Sequence, residues 1–128
     1  MKPFIPGDHL ELTDPRGVVL GAVDIDTVEP SRLRLLGTFH PGPGFQPFVA
    51  LFNTFEEYVE AAALAHLPEI ERQIAALGLL IARSGEQGVA VNDVQIYSDG
   101  GFSCRPLIPA NLNGRPVDGS MVTAATPA

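Results

Sequence analysis

The sequence contains one cysteine, no tryptophan and only eight basic residues against fifteen acidic ones. A single cysteine, Cys104, cannot form a disulfide within the chain, which favours a reducing compartment. Because a net charge of −7 repels phosphate groups, the composition argues against nucleic acid and against an anionic membrane surface as partners. No apolar stretch approaches the roughly 18 residues of a spanning helix or resembles the core of a signal peptide. We therefore expect a cytoplasmic protein.

The rest of the composition is that of a packed domain. Hydrophobic residues make up 45% of the 128 residues and charged residues 18%, a balance typical of globular chains. A chain of this length can fold without a disulfide or a metal ion. Residues 1–107 are predicted to form a single domain. Residues 108–128, rich in Asn, Gly, Pro, Ala and Thr, are predicted to form an irregular tail.

The first third of the chain is predicted to form three antiparallel strands. Residues 9–13 and 23–26 alternate polar and apolar side chains, which is the period of a half-buried strand. Asp14–Gly17 is a predicted turn, because proline presets one backbone angle and glycine accepts positive φ. Residues 32–39 alternate again, and the prolines and glycines of His40–Gly44 then end the sheet.

The middle of the chain is predicted to be helical. Apolar residues recur with helical spacing through residues 45–77. Asn53 or Thr54 is the expected N-cap of the main helix. Pro68 lies inside this run and is expected to kink or restart the helix. Gly78 is expected to end it as a left-handed C-cap.

The last third returns to strands, in the apolar runs of residues 79–82, 89–96 and 102–105. Asp99–Gly101 predicts a hairpin. The alternation changes phase within residues 89–96, which predicts either a bulge near Asn92–Asp93 or a late strand start. The element order is thus β-β-β-α-α-β-β-β. We predict an α+β fold in which an antiparallel sheet of about six strands packs one face against a Pro-kinked helical segment.

No motif for catalysis, cofactor binding or metal binding is recognisable. The three histidines lack the short paired spacing of zinc ligands, and Cys104, in phase with Phe102, is predicted to be a core residue. The sequence has neither a nucleophile elbow nor a phosphate loop. We therefore assign no catalytic residue, no cofactor and no metal ligand. Three acidic residues near the end of the second strand are interpreted as a solvated strand end: Asp24, Asp26 and Glu29.

The alternation in the second and third strands predicts an exposed sheet face. The inward set is predicted to be Val19, Val23, Ile25, Leu33, Leu35 and Phe39. Because one helical layer covers only one face of an open sheet, the opposite face would combine apolar side chains with a charged rim, the usual anatomy of a protein interface. The candidate interface residues are Glu11, Leu20, Arg32, Arg34 and Leu36.

Two functions remain open at this stage. The absence of catalytic motifs favours a non-enzymatic protein that acts through self-association or contact with another protein, as an immunity-type or accessory protein would. The alternative is a small-molecule-binding protein or enzyme with a pocket between helix and sheet, where apolar walls meet a few polar groups. The candidate pocket residues are His40, Asp93, Tyr97 and Arg105.

Overall fold

The structure, a computed structural model, describes residues 3–30 and 33–107. The strands are β1 (His9–Thr13), β2 (Val19–Glu29), β3 (Arg34–Pro41), β4 (Leu80–Ala82), β5 (Val89–Ile96) and β6 (Gly101–Pro106). Between β3 and β4 lie a 3₁₀ helix (Pro43–Phe48) and the helices α1 (Val49–Glu60) and α2 (Leu67–Ala75). The predicted tail, residues 108–128, lies outside the described residues, as does Arg32 of the predicted interface.

The six strands form one antiparallel sheet that closes into a barrel, in the order β1-β2-β3-β6-β5-β4. The short strand β4 closes it, pairing with β1 through Leu12 and Ile81 and with β5 through Ile81 and Val89. The prediction of six antiparallel strands in two groups around helices is confirmed. The predicted open sheet is wrong, because a closed sheet buries its apolar face against itself.

The barrel interior is filled by aliphatic and aromatic side chains, as expected for a small closed sheet. The buried strand residues include Leu10, Leu12, Leu20, Val23, Ile25, Leu35, Phe39, Ile81, Val91, Ile96, Phe102 and Cys104. Cys104 is a core residue, as predicted, and burial raises the pKa of its thiol to about 12. This thiol is therefore protonated at neutral pH and enclosed, so it is not an available nucleophile.

The helical segment covers the end of the barrel at which β3 ends and the β5–β6 hairpin lies, which we call the upper end. The 3₁₀ helix contacts β2, and both α1 and α2 contact β5. Since β4 reaches only as far as Ala90 on β5, the upper half of β5 has no strand neighbour on that side. Buried side chains of the helices pack at this end: Phe45, Phe52, Phe55, Ile70 and Ile74.

The helix boundaries differ from the prediction at both ends, since the C-cap of α2 is Ala76 and not Gly78. α1 begins at Val49, before the predicted cap, and the Thr54 hydroxyl donates to the Ala50 carbonyl within the helix (2.9 Å). The prediction for Pro68 is confirmed. It lies in the first turn of α2, where the N–H that proline lacks would have no partner within the helix. Gly78 has a φ of +66° and turns the chain from α2 toward β4.

The lower end of the barrel is closed by the segment before β1. Phe4 is buried there, and the Arg83 guanidinium lies 4.8 Å from its ring centroid. Arg83 also donates to the Asp8 carboxylate (2.8 Å) and to the Pro3 carbonyl (2.7 Å). Burial alone would raise the pKa of Asp8, but hydrogen bonds from the Ile5 amide and from Arg83 outweigh it, and the pKa is lowered.

The predicted direction of three side chains is wrong. Leu20 was expected on the outer face but is 0% exposed, whereas Val19, expected inside, is 42% exposed. A bulge causes this change: β1 pairs Leu12 with Gly21 and Thr13 with Val19, so Leu20 has no partner on β1 and turns inward. Leu33, also expected inside, is 50% exposed with a φ of +52°. Val23, Ile25, Leu35 and Phe39 are buried as predicted.

No helix among the described residues is long and apolar enough to cross a membrane.

Candidate functional site

The 3₁₀ helix is held close to the upper end of β2 by glycines. The Gly42 amide donates to the Leu20 carbonyl (2.8 Å). A Cβ on Gly44 would lie 2.3 Å from the Val19 carbonyl oxygen, which no side chain could tolerate without a shift of the backbone. The predicted Pro- and Gly-rich segment therefore brings the first helical turn directly onto the barrel, and Phe45 is buried there.

The β5–β6 hairpin forms the facing wall. Its turn is the one predicted at Asp99–Gly101: Gly100 has a φ of +96° and its amide donates to the Tyr97 carbonyl (2.9 Å). The Asp99 carboxylate accepts from the Gly101 amide (2.8 Å). The Gly100 carbonyl in turn accepts from the Phe39 amide (2.8 Å), which joins the hairpin to β3.

A half-open groove of about 380 Å³ lies between these two walls. Buried apolar side chains form its floor, and amide, hydroxyl and phenol groups stand among the residues around it. The lining residues are Phe39, Pro41, Gly42, Phe45, Gln46, Val49, Phe52, Asn53, Ile96, Tyr97, Ser98 and Gly100. We refer to it as the hairpin groove.

Aromatic contacts make the floor of the hairpin groove rigid. The rings of Phe39 and Phe45 meet edge to face with centroids 4.9 Å apart, and those of Phe45 and Phe52 are 5.7 Å apart. Beside the groove, Phe55 of α1 contacts the Tyr97 ring at 6.3 Å. Such pairs stabilise beyond the burial of their area and fix ring orientation. The rings of the floor thus pack against one another.

One carboxylate ties α1 to the hairpin. Glu56 of α1 accepts hydrogen bonds from the Ser98 amide (2.8 Å) and from the Ser98 hydroxyl (3.1 Å). Burial raises the pKa of Tyr97, and the negative charges of Glu56 and Asp99 raise it further against an opposing effect of Arg34. The Tyr97 hydroxyl donates to the Gln95 side chain (2.9 Å). Tyr97 is therefore neutral and anchored at one edge of the groove.

The predicted pocket residues do not form one pocket. Tyr97 lines the hairpin groove, but the other three do not. Asp93 and Arg105 instead form an ion pair (3.3 Å) in which Arg34, a predicted interface residue, also approaches Asp93 (3.7 Å). The predicted bulge at Asn92–Asp93 is confirmed: both residues are exposed, Asp93 has a φ of +50°, and the buried phase changes between Val91 and Val94.

His40 lies in a different cluster, on the outside of β1, β2 and β3. Asp24 accepts from both His9 and His40, the latter at 2.9 Å. Hydrogen bonds from His9 and His40 lower the pKa of Asp24. Sequence alone could not find this cluster, because it depends on the register that places His9 opposite Asp24. Among the described residues, no group of three or more His, Cys, Asp or Glu side chains is arranged to hold a metal ion.

Two further concavities are less suited to a ligand. The gap between α2 and β5, lined by Ile74 and Val91 among others, has a volume of only about 40 Å³. The space between α1 and α2 is larger, about 510 Å³, but more open than the hairpin groove; Tyr58 and His66 pack against each other beside it at 5.2 Å. The hairpin groove alone among these combines a ligand-sized volume with a floor of buried core side chains.

Comparisons with protein-family models, with curated proteins and with solved structures gave no match.

Proposed function

We propose that this protein is a non-enzymatic binding protein that takes up a small molecule in the hairpin groove. The observation that carries the proposal is the groove itself: about 380 Å³, with an aromatic floor and a few polar groups around it. Sites for small molecules have this volume and composition, and they are usually preformed. The proposal follows the second of the two functions left open by the sequence, with Tyr97 as the shared residue.

The chemistry of the lining residues supports binding rather than catalysis. Tyr97 is the only titratable residue among them, and its raised pKa keeps it protonated at neutral pH. The Ser98 hydroxyl donates to Glu56, and a carboxylate is a weak base toward an alcohol. A nucleophile with an effective base is thus absent from the lining of the groove.

A fragment screen by NMR, repeated on a variant in which a large side chain fills the groove, tests this proposal. We expect small apolar ligands to shift the amide resonances of Gln46, Ser98 and Gly100 in NMR spectra. At ten times its Kd, such a ligand stabilises the native state by about 1.4 kcal/mol, a rise of several degrees in Tm. Asn53→Trp, at an exposed position that lines the groove, should weaken binding at least about tenfold by occupying the site.

Glu57→Trp is the matched control. Glu57 is exposed one helical turn after Asn53 and does not line the groove, so the same bulk there should leave affinity unchanged. Both variants should keep the wild-type circular dichroism spectrum. The proposal is wrong if no fragment perturbs the groove resonances, or if both tryptophan variants bind as tightly as the wild type.

Self-association through the outer sheet surface is a second candidate. Leu20 is inside the barrel and cannot take part, but Leu36 is half-buried between Thr27 and Ser103 on the outer surface, and the exposed Leu33 lies in the turn just before β3. Glu11 is exposed on β1, and Arg34 is held by the Ser103 hydroxyl (3.0 Å). The exposed Leu33 and the half-buried Leu36, beside the charged Arg34, are what favours an interface at this end of β3.

Light scattering after size-exclusion chromatography tests the second candidate. If Leu33 and Leu36 form a dimer contact, the wild type should approach twice the 13.6 kDa of one chain as concentration rises. Leu36→Glu should then restore the monomer mass, while Val18→Glu, at another exposed apolar position, should not. A wild-type mass that stays at one chain at every concentration excludes this candidate and leaves the hairpin groove as the proposed site.

A further inference from the structure

Two carboxylates, Glu56 and Asp99, lie beside the hairpin groove, and one guanidinium, Arg34, opposes them at the Tyr97 hydroxyl. No Lys, Arg or His is among its lining residues. The Glu56 carboxylate lies at its edge on Ser98, and Asp99 stands between two lining residues, Ser98 and Gly100. Both carboxylates also act electrostatically on the Tyr97 hydroxyl. The groove is therefore an apolar surface with a negative edge.

The nearest opposing charge is already neutralised in part. Arg34 acts on the Tyr97 hydroxyl as well. However, the Arg34 side chain is directed to the Ser103 hydroxyl and the Asp93 carboxylate on the outside of the sheet. The net charge of −7 for the whole chain adds to the attraction of cations toward the groove.

The aromatic groups favour the same class of ligand. Tyr97, half-buried, contributes a ring to the groove, and the rings of Phe39 and Phe45 are among the residues that line it. A cation that lies within about 6 Å of an aromatic face is attracted by the ring quadrupole, and more strongly where water is excluded. An anion in the same place would meet Glu56 and Asp99 without a cationic partner among the lining residues.

We propose that the ligand of the hairpin groove is a small organic cation, an amine or quaternary ammonium group carried on an apolar body. The inference rests on the proposed function, since it names the chemical class of the molecule that the groove binds. The apolar body packs on the Phe39, Phe45 and Phe52 floor, while the charged group lies at the Glu56 and Asp99 edge. The site takes a free small molecule, because its volume of about 380 Å³ suits one.

Three probes that share a phenyl ring and differ in charge test this proposal. Benzylamine is a cation at pH 7, benzyl alcohol is neutral and benzoate is an anion, and each is titrated into the ¹⁵N-labelled full-length chain. We expect all groove shifts to follow the order amine, alcohol, benzoate, with the amine binding about three- to tenfold more tightly than the alcohol. Raising the salt from about 0.1 M to about 1 M should reduce only the preference for the amine.

Two variants that each replace one carboxylate with an amide test where the preference for the amine arises. Glu56→Gln keeps an acceptor oxygen for the Ser98 amide, and Asp99→Asn keeps one for Gly101, so both should fold. Each should lower the preference for the amine about threefold and leave the affinity for the alcohol unchanged. Glu57→Gln removes the same charge one residue along α1, away from the groove, and should change neither.

The outcomes separate this inference from the function on which it rests. If the amine and the alcohol bind the groove equally, or if benzoate binds more tightly, the cation inference is overturned and the binding function stands. If Glu57→Gln lowers the preference as much as Glu56→Gln, the effect is that of total charge and the inference is overturned as well. If neither these probes nor any screened fragment shifts the groove resonances, the proposed function itself fails.

Discussion

Leu20→Arg is expected to unfold the domain, whereas Val19→Arg, at the preceding position, is expected to leave it folded. Leu20 is 0% exposed within the barrel, and Val19 is 42% exposed. Placing an unpaired guanidinium in an apolar interior costs several kcal/mol or more, comparable with the roughly 5–15 kcal/mol that stabilises a domain of this kind. At the exposed position the same substitution should cost less than about 1 kcal/mol.

Circular dichroism and the dispersion of amide NMR resonances measure this contrast. The pair is a matched test of the bulge in β2, because strict alternation would place Val19 inside and Leu20 outside. A folded Leu20→Arg protein together with an unfolded Val19→Arg protein would reverse the assignment and restore the sequence-based prediction.

Phe52→Ala is expected to have the second largest effect, a loss of about 3–5 kcal/mol in the free energy of unfolding. Phe52 is 1% exposed, packs on Phe45 and links α1 to the barrel beneath the hairpin groove. Removing the ring takes away its buried area and leaves a void that the closed barrel can only partly fill. Urea denaturation followed by circular dichroism measures the loss.

Val59→Ala serves as the control for this substitution. It lies on the same helix but is 41% exposed, and alanine has the higher helix propensity, so the change should stay within about 0.5 kcal/mol. Equal urea midpoints for the two variants would contradict the packing of α1 described above. A Phe52→Ala protein that is folded but weakened should also bind fragments differently, because the floor of the groove is then open.

Local signals in the sequence predicted the elements well. The turn at Gly100 and the kink or restart at Pro68 were predicted from residues whose backbone requirements are strong, and a change of phase predicted either a bulge at Asn92–Asp93 or a late strand start. Six antiparallel strands around a helical segment followed from the same patterns. These features depend on neighbours along the chain, which periodicity reports directly.

Features that depend on distant residues were missed. Closure of the sheet depends on β4, three residues long, meeting β1, and no local pattern encodes that contact. The bulge at Leu20 has no glycine or proline at the inserted residue itself to signal it. The predicted alternation of inward and outward side chains therefore continued past it and was wrong for Val19 and Leu20. Of the residues that line the hairpin groove, only Tyr97 was predicted as a pocket residue. Gln46, Asn53 and Ser98 come from three separate segments, and no local pattern brings them together.

The pairing of Leu12 with Ile81 also sets an order of events during synthesis. β1 leaves the ribosome early, yet its second neighbour is made only after the entire helical segment. Until then the nascent β1–β2–β3 meander exposes Leu10, Leu12 and Leu20 with nothing to enclose them. Because such distant contacts form slowly and exposed apolar strands aggregate, we expect the pairing of β4 with β1 to be a late step of folding and the one that encloses these leucines.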